Sequence, residues 1–481
     1  MNRRMIFSTV GTVLKVEAAL LLLPAAVSAL YREREAFAFL AAAMTGLLIG
    51  FFFTAGFKPR THVIYAKEGF IIVAFTWIML SLVGALPFTL SGEIPRYTDA
   101  FFETVSGFTT TGASILPDVE ELSHGILFWR SFTHWIGGMG IIVFVAAVIP
   151  NISERSIHIL RAEMPGPTMG KLVPRLKDTA LILYIIYMAL TLLETLMLAL
   201  GGMSLFDSLL LSFGTAGTGG FGIKHDSIAG YSPYHQWVIA AFMMIFGINF
   251  NLYYLILAKK IKSAIKSSEL WCFVGIVAVS AVLIFFNIRS LYSGTEETAR
   301  TAFFQVTSII STTGYSTTDF NLWPAFSKNI LFALMFIGGC AGSTAGGMKV
   351  SRFMMLFKLI SNEIKRLIHP RSVIALRMEG KPVDGNTKKN LSNYFLAYFV
   401  CVILIFLCLS FERFDFETNF TAAVTCFNNV GPGFAAVGPA ESFAGYSDFA
   451  KIVLSFAMLL GRLEIFPILI AFSPSSWRRN K

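Results

Sequence analysis

Four glycines, Gly112, Gly220, Gly314 and Gly431, close four segments of one pattern: DAFFETVSGFTTTGAS (Asp99 to Ser114), DSLLLSFGTAGTGGFG (Asp207 to Gly222), TAFFQVTSIISTTGYS (Thr301 to Ser316) and TNFTAAVTCFNNVGPG (Thr418 to Gly433). Eleven positions before each glycine stands an apolar residue (Phe101, Leu209, Phe303, Phe420), and six before it a small one (Ser106, Gly214, Ser308, Thr425). Asp99, Asp207, Thr301 and Thr418 open the segments as helix N-caps, so each reads as a half-helix of about two to three turns followed by an extended loop. Glycine frees the loop to turn its peptide oxygens toward one centre, where they replace the hydration shell of a cation. The negative ends of the half-helix dipoles face the same centre. A single T-x-G triplet is an ordinary turn; four in register, at intervals of 108, 94 and 117 residues, are an architecture.

Such loops have to be positioned by helices in a bilayer. The chain of 481 residues is 55% hydrophobic and 14% charged, well away from the balance of a soluble globule. Apolar stretches predict ten spans, at roughly 5–30, 36–56, 70–91, 129–150, 179–201, 235–258, 270–287, 329–349, 392–411 and 449–472. With a cytoplasmic amino terminus, 27 of the 39 Lys and Arg fall on the inner side, which places both termini there. The net charge of +10 then reflects topology and attraction to anionic lipid or an acidic partner, and nucleic acid is excluded. Residues 1–29 imitate a secretory signal, but Lys15 and Glu17 precede the apolar run and a second span follows at once, so a retained helix is expected. The five cysteines show no paired spacing and give neither a disulfide framework nor a metal cluster.

Each polar segment lies on the outer side between two spans, because irregular backbone at membrane depth is tolerated only inside protein or beside water. The expected fold is an all-α polytopic membrane protein of four potassium-channel-like helix/pore-helix/helix repeats with pseudo-fourfold symmetry. The divisions are 1–69 (a two-helix extension), 70–178, 179–269, 270–391 and 392–481.

The eighth span carries IGGCAGSTAGGMK (Ile337 to Lys349), whose glycines Gly339, Gly342, Gly346 and Gly347 and whose Ser343, Thr344 and Ala345 suit a broken helix better than a lipid-facing one. A close helix crossing at small residues is the plainer alternative. Met348 between Gly347 and Lys349 spoils a match to the phosphate loop. Arg462 in the last span is the clearest intramembrane charge, facing protein or water if it does not snorkel to the inner surface. Lys451 and Glu194, near span ends, read as interfacial.

The motifs TTTGAS, TGGFG, STTGYS and NNVGPG, with WIGGMGI (Trp135 to Ile141), RAEMPGPT and KLVPR (Arg161 to Arg175), resemble the Trk/Ktr/HKT superfamily of cation transporters. The two extra helices before the first repeat resemble its TrkH-type pore subunit. The resemblance implies potassium, and with it rubidium, held by carbonyls of Thr111, Gly112, Gly219, Gly220, Thr313, Gly314, Val430 and Gly431. Plant members that favour sodium carry serine where this chain has Gly112. Asn429 and Pro432 depart from the pattern in the fourth repeat. The resemblance also implies a gate made of Gly339, Gly342, Ser343, Thr344, Ala345, Gly346, Gly347 and Arg462, with the loop around Gly342 to Gly346 as the partner of Arg462. It further implies a homodimer in the cytoplasmic membrane and a cytoplasmic TrkA-type nucleotide-binding ring. Channel and proton- or sodium-coupled symport stay open. An enzyme is excluded for want of a catalytic constellation at membrane depth.

Overall fold

The computed structural model describes residues 2–59, 65–140, 176–370, 376–379, 381–383 and 385–477, so RAEMPGPT, KLVPR and the last residue of WIGGMGI lie outside the described residues. Among the described residues the chain is helical apart from a short antiparallel ladder of Arg377–Met378 with Lys381–Pro382. Six helices among the described residues are long and apolar enough to cross a bilayer, over 3–30, Ala36–Gly56, Lys67–Ser91, Ala180–Leu200, Ser268–Leu291 and Gly385–Leu409. The chain is therefore an all-α membrane protein.

The helix Ala36–Gly56 buries Ala42, Ala43, Gly46 and Gly50 while Phe37, Leu48 and Phe52 point outward. Small residues inward and large apolar residues outward are the arrangement expected where lipid is the solvent. Its partner is the helix Arg3–Leu20: a Cβ on Gly11 would lie 2.8 Å from the Gly50 oxygen, and one on Gly50 would lie 2.8 Å from the Gly11 oxygen. Asn2 N–H donates to Glu68 (2.7 Å) and the Arg3 guanidinium to the Trp477 carbonyl (3.1 Å), tying the start of the first helix to the span that begins near Glu68 and to the last described residues.

Four shorter helices precede the four key glycines: Tyr97–Phe108, Leu205–Gly217, Thr295–Ile310 and Phe416–Asn428. They are longer than expected, and the cap assignments need correction. The N-caps are Arg96, Ser204, Gly294 and Asp415, so Asp99, Asp207 and Thr418 sit in the first turn and Thr301 lies well inside its helix. The Ser204 hydroxyl accepts from Asp207 N–H (3.0 Å) and Asp415 from Thr418 N–H (3.0 Å), so polar residues stand at both cap and first turn and the pattern alone does not choose between them.

The inner helices that follow the loops all break or end at one level. The predicted span 129–150 is helical over His124–Gly138, with Gly140 left-handed (φ +82°), and continues outside the described residues. The span 235–258 is Pro233–Phe246 and Phe250–Leu257, bent by 90°. The span 329–349 is helical from Ala325 to Ile337 and then irregular to Lys349, with the next helix at Val350–Ile368. The span 449–472 is split into Asp448–Arg462 and Phe466–Phe472 by left-handed Glu464 and Ile465. Hydropathy continues unbroken across the second and fourth of these sites, which is why their breaks are not visible in the sequence.

Lys451 and Glu194 are also corrected: neither is interfacial, both being at most 3% exposed. Lys451 pairs with Asp99 of the first short helix at 2.6 Å. Each faces the bundle interior, where a charge near a span end is as well placed as one at the surface.

Candidate ion-conduction site

All four short helices end in the same way. Thr111 N–H donates to Ser106 O (2.9 Å), Gly219 to Gly214 (2.8 Å), Thr313 to Ser308 (2.9 Å) and Val430 to Thr425 (3.0 Å). One residue earlier, Thr110 donates to Gly107 (3.1 Å), Thr218 to Thr215 (3.0 Å), Thr312 to Ile309 (3.1 Å) and Asn429 to Cys426 (3.4 Å). These paired bonds form the Schellman termination, which requires a left-handed residue. Thr110, Thr218, Thr312 and Asn429 supply it, with φ between +55° and +58°. Three of them are β-branched, for which this region costs about 1–2 kcal/mol. The small residue six before each glycine is thus the acceptor of the terminating bond, and in two repeats its hydroxyl reaches further: Ser308 donates to Tyr315 O (2.6 Å) and Thr425 to Pro432 O (3.0 Å).

Two residues beyond each left-handed position, Gly112, Gly220, Gly314 and Gly431 are left-handed again, at +81°, +75°, +84° and +101°. A Cβ at Gly112 would collide with the Gly219 oxygen, at Gly220 with the Thr313 oxygen and at Gly314 with the Val430 oxygen, while at Gly431 it would lie 2.7 Å from the Thr111 oxygen. Each glycine therefore touches the carbonyl just before the key glycine of the next repeat, and the fourth returns to the first. The loops close a ring. Its four glycines line one cavity of about 280 Å³ with Ser114, Ser316 and Pro432.

Buried polar groups fix this ring from behind. Glu103, 1% exposed, accepts from Arg130 Nε (2.8 Å), the Ser114 hydroxyl (2.9 Å) and Ile115 N–H (3.0 Å). Arg130 also donates to Gly222 O (3.1 Å) of the second loop and lies 3.9 Å over the Phe221 ring. A buried guanidinium is held only by such saturation of its donors. One turn on, His134 is fully buried between the first two repeats. Its Nδ1 lies 2.8 Å from Gly107 O and its Nε2 accepts from Phe221 N–H (3.3 Å). Those partners require the neutral Nδ1–H tautomer. Sequence reasoning missed Glu103, Arg130 and His134; the signal present was Arg and His four residues apart in WRSFTHW, within a predicted span.

Below the ring lies the irregular segment. Gly338, Gly342 and Gly347 are left-handed (+72°, +76°, +71°), as is Lys349 (+76°). Cys340 N–H donates to Gly247 O (2.9 Å) and Phe250 N–H to Gly342 O (3.0 Å), so the segment fits into the bend of the second inner helix. Glu269 holds both ends, accepting from Ala341 N–H (2.7 Å) and Ser351 N–H (3.1 Å). The Ser343 hydroxyl donates to Cys340 O (2.6 Å), and the Ala345 carbonyl accepts from Lys349 Nζ. A Cβ on Gly339 would lie 2.6 Å from the Ala345 Cβ, so the two limbs of the segment touch. Gly346 N–H donates to the Thr312 hydroxyl (2.6 Å) and Gly347 N–H to Asn428 O (2.9 Å), directly beneath the ring.

Arg462 donates to Thr344 O (2.9 Å) and, with its other terminal nitrogen, to Gly137 O and Gly138 O (2.7 Å to the latter). Glu464, in the break itself, pairs with Arg352 (2.7 Å) at the start of the helix after the segment. Gly342, Ser343, Ala345, Gly346, Gly347, Lys349, Arg462 and Glu464 line a second, smaller cavity of about 60 Å³. The structure thus gathers the eight carbonyl residues into one ring, with Arg462 and the glycine-rich segment together under it. Such an arrangement can strip water from a cation above and oppose its passage with positive charge below.

The family model of the TrkH cation transport proteins matches residues 37–479. The chain is 37% identical to the Trk system potassium uptake protein TrkH of Salmonella typhimurium, over 99% of this chain and all of that one. It is 35% identical to the Trk system potassium uptake protein TrkG of Escherichia coli, over 95% and 94% of the two. The fold is similar to the crystal structure of the potassium transporter TrkH from Vibrio parahaemolyticus, with a TM-score of 0.90, 34% identity, and 99% and 100% coverage.

Proposed function

The chain belongs to the TrkH family of cation transport proteins, and from that premise we propose how it serves potassium uptake as the pore subunit of a Trk-type system. It is a transporter and not an enzyme. Potassium is the transported ion, held in passing by carbonyls of Thr111, Gly112, Gly219, Gly220, Thr313, Gly314, Val430 and Gly431, and rubidium follows the same path. The observation that carries this reading is the closed cyclic contact of four left-handed glycines, each with the preceding carbonyl of the next repeat. Rings of backbone carbonyls select by replacing hydration, and the contacts that close the ring here are between backbone atoms. Gly339, Gly342, Ser343, Thr344, Ala345, Gly346, Gly347 and Arg462 are the gate, the guanidinium serving as plug contact and cation repellent.

The chain sits in the cytoplasmic membrane with both termini inside, divided at 69/70, 178/179, 269/270 and 391/392. It pairs as a homodimer and docks a TrkA-type nucleotide-binding ring on its cytoplasmic face, as suggested by the basic stretch from Lys349 to Asn390 with its ten Lys and Arg against three acids. Proton-coupled symport is the second reading, favoured by Glu17 and Glu194, which are buried at membrane depth. The Glu17 oxygens have no hydrogen-bond partner among the described residues, and intramembrane acids of this kind mark proton relays.

Rubidium uptake into vesicles holding the full chain tests the permeation reading, with potassium and sodium as competitors. Potassium should suppress uptake in the wild type far better than sodium, and Gly112→Ser should shrink that preference by about an order of magnitude, through a side chain forced onto the Gly219 carbonyl. Equal suppression by both ions in the wild type refutes it.

A further inference from the structure

The seams between neighbouring repeats in the carbonyl ring are each bridged by polar contacts, and one of them is bridged by the intramembrane segment as well. Between the first and second repeats the bridge is His134, on Gly107 O and Phe221 N–H. Between the second and third it is the Tyr315 hydroxyl, donating to Leu211 O (3.1 Å). Between the fourth and first it is the Asn429 side-chain amide, donating to the Thr111 hydroxyl (2.9 Å). These are side chains of the ring and its immediate supports. Between the third and fourth repeats the Asn321 side chain donates to Ala435 O (3.3 Å) and accepts from Ala435 N–H (3.0 Å), and the intramembrane segment adds a second bridge at the turns themselves, Gly346 N–H on the Thr312 hydroxyl and Gly347 N–H on the Asn428 carbonyl.

Both acceptors belong to the turns that end the third and fourth short helices. Thr312 is the left-handed residue (φ +58°) whose conformation aims the next carbonyl, that of Thr313. A β-branched residue keeps that conformation only where its surroundings impose it. The fit is close: a Cβ on Gly346 would collide with the Asn428 oxygen and lie 3.0 Å from the Asn429 side chain.

We infer that the segment 338–349 is also the strap of the third seam of the filter, so that the displacement which opens the pore loosens the filter and lowers its preference for potassium over sodium. Thr312 is the positioning residue that carries the coupling. The inference rests on the permeation reading above. Withdrawal of the segment takes the donor from the Thr312 hydroxyl and frees the residue to relax toward extended backbone, turning the Thr313 carbonyl off the axis. A segment that acted as a plug alone would change the number of ions passing and leave their kind unchanged.

The test is rubidium uptake by the full chain in liposomes, read as a rate and as the ratio of potassium to sodium needed to suppress it. Arg462→Ala, which releases the segment from its far side, should raise the rate severalfold and narrow the ratio severalfold. Thr312→Val keeps the shape and removes the acceptor, and should do the same. Thr312→Ser keeps the hydroxyl and should return both readouts to wild-type values. A faster Arg462→Ala variant with an unchanged ratio overturns the inference, as does a Thr312→Val variant that moves only one readout or neither. If Thr312→Val does not fold, the ratio measured for Arg462→Ala decides alone. A wild-type protein whose uptake potassium does not suppress refutes the permeation reading itself, and that outcome is read before any variant is compared.

Discussion

Glu103 and Arg130 show how a few residues hold the ring's geometry at a distance from any ion. Both are at most 2% exposed, and Glu103 accepts from three donors at once, so loss of either partner strands a charge in a dry site. Breaking such a pair costs about 3–5 kcal/mol, whereas replacing both members with apolar groups of like volume costs far less. Glu103→Gln and Arg130→Met should each lower the thermal midpoint of the purified protein sharply, and the double variant should lie above the worse single one. Strictly additive losses would show that the two side chains act separately. Gly112 marks the opposite extreme, where the absence of a side chain is the requirement, because φ is +81° and the space of a Cβ is taken by the Gly219 carbonyl.

At the scale of elements, four helix ends with one hydrogen-bond pattern explain why a residue-level repeat was legible at all. The small residue six before each glycine is the acceptor of the terminating bond, so the periodicity records backbone chemistry directly. The helix starts were misread because polar residues occupy both the cap and the first turn. The breaks in the second and fourth inner helices were invisible for another reason. Asn249 caps a new helix after a single glycine, and Ile465 adopts a left-handed conformation with no glycine to announce it. The third break is spelled out in glycines, and its segment is held by Glu269 at its ends and Arg462 at its centre. Glu269→Gln weakens the acceptor of two backbone N–H groups, and its basal rubidium leak should fall between wild type and Arg462→Ala. A leak no greater than wild type would show that the loop's other contacts suffice to hold it.

Over the whole molecule, the polar residues that matter sit on the inside of the bundle and the large apolar ones on the outside. Lys451 with Asp99 and Glu464 with Arg352 join helices distant in sequence, and Glu103 with Arg130 joins two consecutive ones. Those pairings were not legible, since hydropathy gives each span's length and not its facing. The four loops were legible because they repeat, but their cyclic order, in which each glycine meets the next repeat's carbonyl, exists only in three dimensions. That ring is the central claim, and anomalous scattering from crystals of the full chain grown in rubidium tests it most directly. The account predicts a rubidium peak on the axis enclosed by Gly112, Gly220, Gly314 and Gly431, lost when sodium replaces rubidium. Rubidium bound elsewhere in the protein, with the space between those four glycines empty, would contradict it.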